Sequence, residues 1–144
     1  METSIITPYL IIISVLLGGS VVLMRFMPRM TAGVPFVEPK AVNELMVQGV
    51  EMVIIDVRTD EEFTSPLGHV PGALNLAGTE LDVRLANADD AIDELKGLPV
   101  FVMCRTHNRS PRAARMLTKA GFSQVAVIKG GMMNWSKQEL PVEK

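Results

Sequence analysis

The clearest indication of the fold lies in residues 100–128, which read VFVMCRTHNRSPRAARMLTKAGFSQVAVI. It begins with the unbroken apolar run Val100–Met103 and ends with a second run, Val125–Ile128. Between them, apolar residues recur at helical spacing over residues 110–120, and Gly121 follows as a helix stop. Strands that are apolar on both faces belong to a sheet that is covered on both sides. The stretch therefore predicts two parallel strands joined by a helix.

The same alternation of strand and helix extends upstream and downstream. Thr59 and Glu62 have the spacing of a capping box, which predicts a short helix after Thr59. The pattern predicts strands at residues 52–55 and 73–76, and helices after Pro39, after Thr59, at residues 79–95 with Thr79 as a cap, and at residues 131–138. Such alternation is typical of an α/β domain around a parallel sheet.

Cys104 follows directly on a predicted strand, at the end of a parallel sheet where binding sites lie. We expect Ser110 to be the N-cap of the next helix and Pro111 its first residue. The helix N-terminus, Arg105 and Arg109 would then favour a thiolate at Cys104 and an anion beside it. The loop therefore suits a persulfide, a thiosulfate or a phosphate. The alternative is that Cys104 is an inert cysteine buried at the end of a strand.

Composition excludes several classes of function. The formal net charge is −2 and no long basic run is present, so we expect no nucleic-acid partner. The single cysteine cannot form an internal disulfide, and the two histidines are far apart, so we expect neither a metal site nor a cofactor.

The N-terminal residues 5–24 carry no charge and would span about 30 Å as a helix, the thickness of a bilayer core. We expect a single-pass membrane anchor within residues 1–29, followed by one domain at residues 30–144. The alternative is a cleavable signal peptide, which would have a basic start and a clear cleavage site. Arg25 and Arg29 follow the apolar run, so the positive-inside rule predicts that the domain faces the cytoplasm.

Two motifs in this chain resemble the signatures of rhodaneses. Residues 100–135 resemble the family pattern of an apolar strand, CRxGxRS, an Ala-rich helix, AGF, a strand, then GG and Trp. Residues 53–76, VIIDVRTDEEFTSPLGHVPGALNL, resemble the upstream pattern DVR, E-F and GHIPGA-N. The similarity covers roughly residues 36–141 and implies a three-layer rhodanese-like α/β domain without a cofactor.

The resemblance also implies a sulfurtransferase and assigns roles to residues. Cys104 would take sulfane sulfur from a small anionic donor, thiosulfate or a persulfide, and pass it to a thiol or protein-cysteine acceptor. Asp56 and Arg58 would support the site. The persulfide-binding loop would consist of Arg105, Thr106, His107, Asn108, Arg109 and Ser110.

His107 departs from the family pattern, which often has glycine at this position. If the position requires a positive φ, a histidine is strained there, though less than most residues. We interpret His107 as a tolerated loop residue rather than a catalytic one, with a role as proton acceptor or positive charge as the alternative.

Two other functions compete with sulfur transfer. Cell-cycle phosphatases of this fold have a loop one residue longer, whereas Arg109 here comes five residues after Cys104. Loop length therefore favours sulfur over phosphate, and arsenate reduction has no support of its own. The other alternative is a membrane-anchored binding module without catalysis, but such modules often lack the cysteine that this chain retains.

Overall fold

A computed structural model describes residues 33–87 and 90–144, and its compact unit spans Val34–Lys144. Across these residues a parallel sheet of five strands forms in the order β1-β5-β4-β2-β3. Strand β4 lies at the centre, between β2 and β5. The strands are β1 (Phe36–Val37), β2 (Val53–Asp56), β3 (Leu74–Asn75), β4 (Val100–Met103) and β5 (Val125–Ile128).

Helices cover both faces of this sheet, as the apolar runs in the sequence predicted. On one face, side chains of α1 and α6 form a buried cluster with Ile54 of β2 and Phe101 of β4. On the other face, α5 packs on β4 and β5 through the buried residues Ala113 and Leu117. The helices are α1 (Pro39–Val47), α2 (Asp60–Phe63), α3 (Gly78–Ala86), α4 (Asp90–Asp93), a 3₁₀ turn (Glu94–Gly97), α5 (Ser110–Lys119) and α6 (Gly131–Lys137).

Local sequence signals account for several of these boundaries. Pro39 begins α1, where its missing N–H costs no hydrogen bond. Thr59 and Glu62 form the predicted capping box of α2, with both of its hydrogen bonds present. Trp135 is fully buried and its indole N–H donates to the Pro141 carbonyl at 2.8 Å, so the ring is part of the core and its polar atom is satisfied.

The prediction of one helix over residues 79–95 is wrong. Helix α3 ends at Ala86, and the chain continues in the separate short elements α4 and the 3₁₀ turn. Asn87 and Asp90 at this break are weak helix formers, which explains why one continuous helix does not form. The N-cap of α3 is Ala77, without a side-chain hydrogen bond, so Thr79 does not cap it.

Strand β1 and the predicted anchor both belong to the first part of the chain. Strand β1 was not predicted, because two residues are too few to show a strand period; it pairs with β5 through Phe36 and Val127. The predicted anchor at residues 5–24 lies outside the described residues. Within residues 33–87 and 90–144, no helix is both long enough and apolar enough to cross a membrane.

Candidate functional site

Cys104 lies at the carboxyl edge of the sheet, directly after the central strand β4. Its neighbour Met103 pairs in register with Asp56, the last residue of β2. Cys104 is only 1% exposed, so the thiol is held inside the domain rather than on its surface. The topology therefore brings the two sequence motifs, one around Asp56 and one around Cys104, to the same edge.

The Cys104 loop, residues 104–109, turns back on its own sulfur. The backbone N–H of His107 donates to Cys104 Sγ at 3.1 Å. His107 has φ 93, so the positive φ considered for this position is present. A peptide N–H directed at sulfur stabilises negative charge there, whether it belongs to a thiolate or to a persulfide.

The start of α6 supports the beginning of this loop. Met132 N–H donates to the Cys104 carbonyl at 2.8 Å, and Met133 N–H donates to the Arg105 carbonyl at 3.0 Å. Gly131 has φ 59, and a Cβ at this residue would lie 2.4 Å from the Cys104 carbonyl oxygen. Only glycine permits this approach, so the second glycine of the GG pair is a structural part of the site.

The end of the loop is held by a bidentate ion pair between Arg109 and Glu62. Both terminal nitrogens of Arg109 donate to the Glu62 carboxylate, each at 2.7 Å. The hydrogen bond from Arg109 is the main reason that the pKa of Glu62 falls from 4.5 to about 2. The same bond is the main reason that the pKa of Arg109 is raised, and the charge of Glu62 adds to this effect. Glu62 of α2 thus supplies a counter-charge to Arg109 and fixes its position.

Arg105 differs from Arg109 in its surroundings. Its side chain is exposed, and within the described part of the chain it makes no ion pair. Thr106 and Asn108 are also exposed. Asn108 and Arg109 line one wall of a cavity of about 390 Å³, whose other walls come from α3, α5 and the residues that follow β2. Of the two predicted positive charges, only that of Arg105 is uncompensated.

Asp56 and Arg58 form a buried ion pair below the loop. Arg58 donates to both carboxylate oxygens of Asp56, with the shortest contact at 2.7 Å, and both side chains are at most 1% exposed. Arg58 also donates to the carbonyls of Glu62 and Gly68. The side-chain amide of Asn75 donates to the carbonyls of Asp56 and Arg58, a role that sequence reasoning missed. The pair is part of the framework that holds α2, rather than a group that reaches Cys104.

Ser110 is buried, and in the described part of the chain its hydroxyl has no hydrogen-bond partner. The expectation that Ser110 caps the helix is wrong: the N-cap of α5 is Arg109 in helical conformation, without a side-chain hydrogen bond. Ser110 is instead the first helical residue and Pro111 the second, because the helix begins one residue earlier than the cap signal indicated.

His69 lies outside the Cys104 loop. Its ring stacks on Phe63 at 3.7 Å between ring centroids, and Nδ1 lies 3.2 Å from the Phe63 carbonyl. Its backbone pairs with Glu143 in an isolated bridge. The His69 ring therefore ties this segment to the end of α2 through a hydrogen bond to the backbone.

The chain is similar to known domains and proteins. A family model described as Rhodanese-like domain matches residues 38–138. The uncharacterized protein YibN of Escherichia coli K12 is 34% identical over 92 residues, which are 64% of this chain and 61% of YibN, so the chain spans about three fifths of that relative.

Two solved structures share the architecture. A protein of unknown function from Rhodopseudomonas palustris, a possible tyrosine phosphatase by its description, has a TM-score of 0.71 at 21% identity, covering 84% of this chain and 93% of that chain. A thiosulfate sulfurtransferase from Pseudomonas aeruginosa has a TM-score of 0.64 at 26% identity, covering 77% of this chain and 20% of that chain. At 21% identity, the first of these shows the fold alone.

Proposed function

The chain belongs to the rhodanese-like domain family, and from that premise we propose that it is a sulfurtransferase that carries sulfane sulfur on Cys104. The observation that carries the proposal is the hydrogen bond from the His107 N–H to Cys104 Sγ. A loop that directs a backbone donor at a buried sulfur is built to hold negative charge on that sulfur. The similarity to a thiosulfate sulfurtransferase supports the same chemistry.

The proposed reaction has two displacement steps. The Cys104 thiolate attacks the outer sulfur of thiosulfate; a new S–S bond forms, the bond to the sulfonate sulfur breaks, and sulfite leaves with the electron pair. An acceptor thiolate then attacks the outer sulfur of the Cys104 persulfide and restores the Cys104 thiolate. The loop lowers the barrier by stabilising anionic sulfur in both steps.

The unpartnered hydroxyl of Ser110 supports an anionic occupant of this site. Ser110 is buried at the end of the Cys104 loop, and leaving a hydroxyl without a hydrogen bond is costly. The outer sulfur of a persulfide, or an oxygen of the donor, would give it an acceptor. We infer that Ser110 and the His107 N–H bind the transferred sulfur or the donor.

Loop length favours sulfur transfer over phosphate chemistry. Arg109, five residues after Cys104, is engaged by Glu62 and closes a short loop. A phosphate needs a wider ring of donors than a single sulfur atom does. Retention of Cys104 itself favours an enzyme over a binding module.

The test is the intact mass of the full chain, in mild detergent, after incubation with thiosulfate. We expect Cys104 to gain one sulfur atom, Cys104→Ser to gain none, and Ser110→Ala to gain it more slowly. Loading from glutathione persulfide but not from thiosulfate would identify a persulfide as the donor. Failure with both donors would overturn the proposal in favour of a binding module, and hydrolysis of an aryl phosphate would indicate a phosphatase.

We also propose that residues 5–24 anchor the protein to a membrane with the domain facing the cytoplasm. The support is the uncharged run and the two arginines that follow it, Arg25 and Arg29. The sulfur donor would then be a small anion and the acceptor a thiol or protein cysteine in the same compartment. Release of the full chain from membranes by alkaline carbonate would contradict the anchor, and protease protection of the domain in inside-out vesicles would contradict its orientation.

A further inference from the structure

His107 makes two side-chain contacts that a glycine at this position would lack. Its Nδ1 accepts a hydrogen bond from the Gly130 N–H at 3.1 Å. Its ring meets Phe36 of β1 edge to face, with 6.0 Å between ring centroids. The side chain therefore ties the Cys104 loop to the turn before α6 and to the edge of the sheet.

We propose that His107 is a positioning residue: its imidazole holds the middle of the Cys104 loop on Gly130, so that its own N–H stays directed at Cys104 Sγ. The proposal rests on the sulfur-transfer function, and it names the residue that sets the donor geometry of that site. The role replaces the interpretation of His107 as a merely tolerated loop residue.

The loop needs such an attachment at its middle. Its start is fixed by hydrogen bonds from α6 to the carbonyls of Cys104 and Arg105, and its end by the Arg109–Glu62 ion pair. Between these points, the only hydrogen bonds in the part of the chain that the structure describes are those of His107. Because the donating N–H and the imidazole belong to one residue, fixing the ring restricts the rotation that would turn the N–H away from sulfur.

The same hydrogen bond excludes His107 as a proton acceptor for Cys104. Since Nδ1 accepts from the Gly130 N–H, it carries no proton, and the proton of the neutral ring is on Nε2. Neither ring nitrogen then has a free lone pair. His107 acts on Cys104 through the backbone, not as a base.

Three substitutions separate this role from a general structural one. In His107→Asn the side-chain oxygen lies one bond beyond Cγ, as Nδ1 does, and asparagine tolerates positive φ. His107→Gly accepts the positive φ observed here but has no acceptor for Gly130. In His107→Gln the side-chain oxygen lies one bond farther from the backbone than Nδ1 does, which is too far to replace it. A positioning role predicts that Asn rescues what Gly and Gln lose.

The measurements are the rate of Cys104 sulfur loading from thiosulfate, the rate of Cys104 alkylation, and hydrogen exchange of the Gly130 amide, all on the full chain. We expect His107→Gly to slow loading about fivefold, equivalent to one neutral hydrogen bond of about 1 kcal/mol, and to speed Gly130 exchange by a similar factor. His107→Asn should keep both rates close to wild type, and thermal midpoints should show that all variants fold.

Loading by His107→Gly as fast as wild type, or by His107→Asn as slowly as His107→Gly, would overturn the proposal. If wild type takes up no sulfur at all, the proposed function fails and the positioning role is judged separately. In that case slower alkylation of Cys104 with faster Gly130 exchange in His107→Gly, rescued by Asn, would support the role, and unchanged rates would refute it.

Discussion

Replacing Glu62 with glutamine removes the charge that holds Arg109 and leaves the helix cap in place. The Glu62 carboxylate accepts both hydrogen bonds from Arg109 and one from the Thr59 N–H. Glutamine can still accept from Thr59, because glutamate and glutamine both serve in a capping box. Glu62→Gln therefore tests the ion pair separately from the stability of α2.

The size of the effect follows from the pKa of Glu62, which is lowered from 4.5 to about 2 mainly by the hydrogen bond from Arg109. The difference between these values corresponds to about 3 kcal/mol. The Arg109 side chain is 45% exposed, so water screens the pair and we expect about 1–2 kcal/mol at neutral pH.

The sign of the pH dependence is set by the lowered pKa. A carboxyl group whose pKa is lower in the folded state stabilises the protein above its unfolded pKa and loses that contribution as the pH falls through the folded value. The stability difference between wild type and Glu62→Gln should thus be constant above pH 4.5 and shrink between pH 4.5 and about 2.

The assay is urea unfolding of the full chain at several pH values, followed by fluorescence of the single tryptophan, Trp135, which is fully buried. Glu51→Gln is the matched control, because it removes the same charge from an exposed residue. A difference that is absent at neutral pH, or that persists undiminished to pH 2, would contradict a stabilising ion pair between Glu62 and Arg109.

Two further predictions concern the framework of the site. Gly131→Ala should lower the stability by about 3 kcal/mol or more, because its Cβ would lie 2.4 Å from the Cys104 carbonyl oxygen at a residue with φ 59. Gly97→Ala, with nothing within 4 Å of the added Cβ, is the control in thermal unfolding, and equal losses in the two variants would contradict the steric argument. Asp56→Asn should cost about 3–5 kcal/mol in urea unfolding, because Arg58 remains buried without its counter-charge. A further Arg58→Met substitution should recover part of that loss, and no recovery would argue against a buried-charge penalty.

Local sequence was sufficient for the central elements of the fold. The apolar runs of β2 and β4 are buried along their length, and that of β5 is buried except at the half-buried Ala126. Their interruption by amphipathic helices predicts a covered parallel sheet. The capping box at Thr59 is equally local, because both partners lie within one helical turn. The position of Cys104 at a strand end follows from the same pattern.

Elements with weak local signals were not predicted correctly. Strand β1 has two residues and depends on its pairing with β5. The break after α3 lies in a polar stretch whose residue spacing is also compatible with one continuous helix. The start of α5 differs by one residue, which was enough to change the role of Ser110 from a cap to a buried hydroxyl. In each case tertiary packing outweighs a small local preference.

The residue pattern was sufficient to predict the sheet class, the strand–loop–helix unit and the place of the lone cysteine, because each depends on residues adjacent in the chain. Only the tertiary structure joined Arg109 to Glu62, 47 residues away, and His107 to Gly130, 23 residues away. Such contacts have no periodic signature, since they arise when the sheet brings distant loops to one edge. The surroundings of Cys104, unlike its position, are therefore a property of the folded chain.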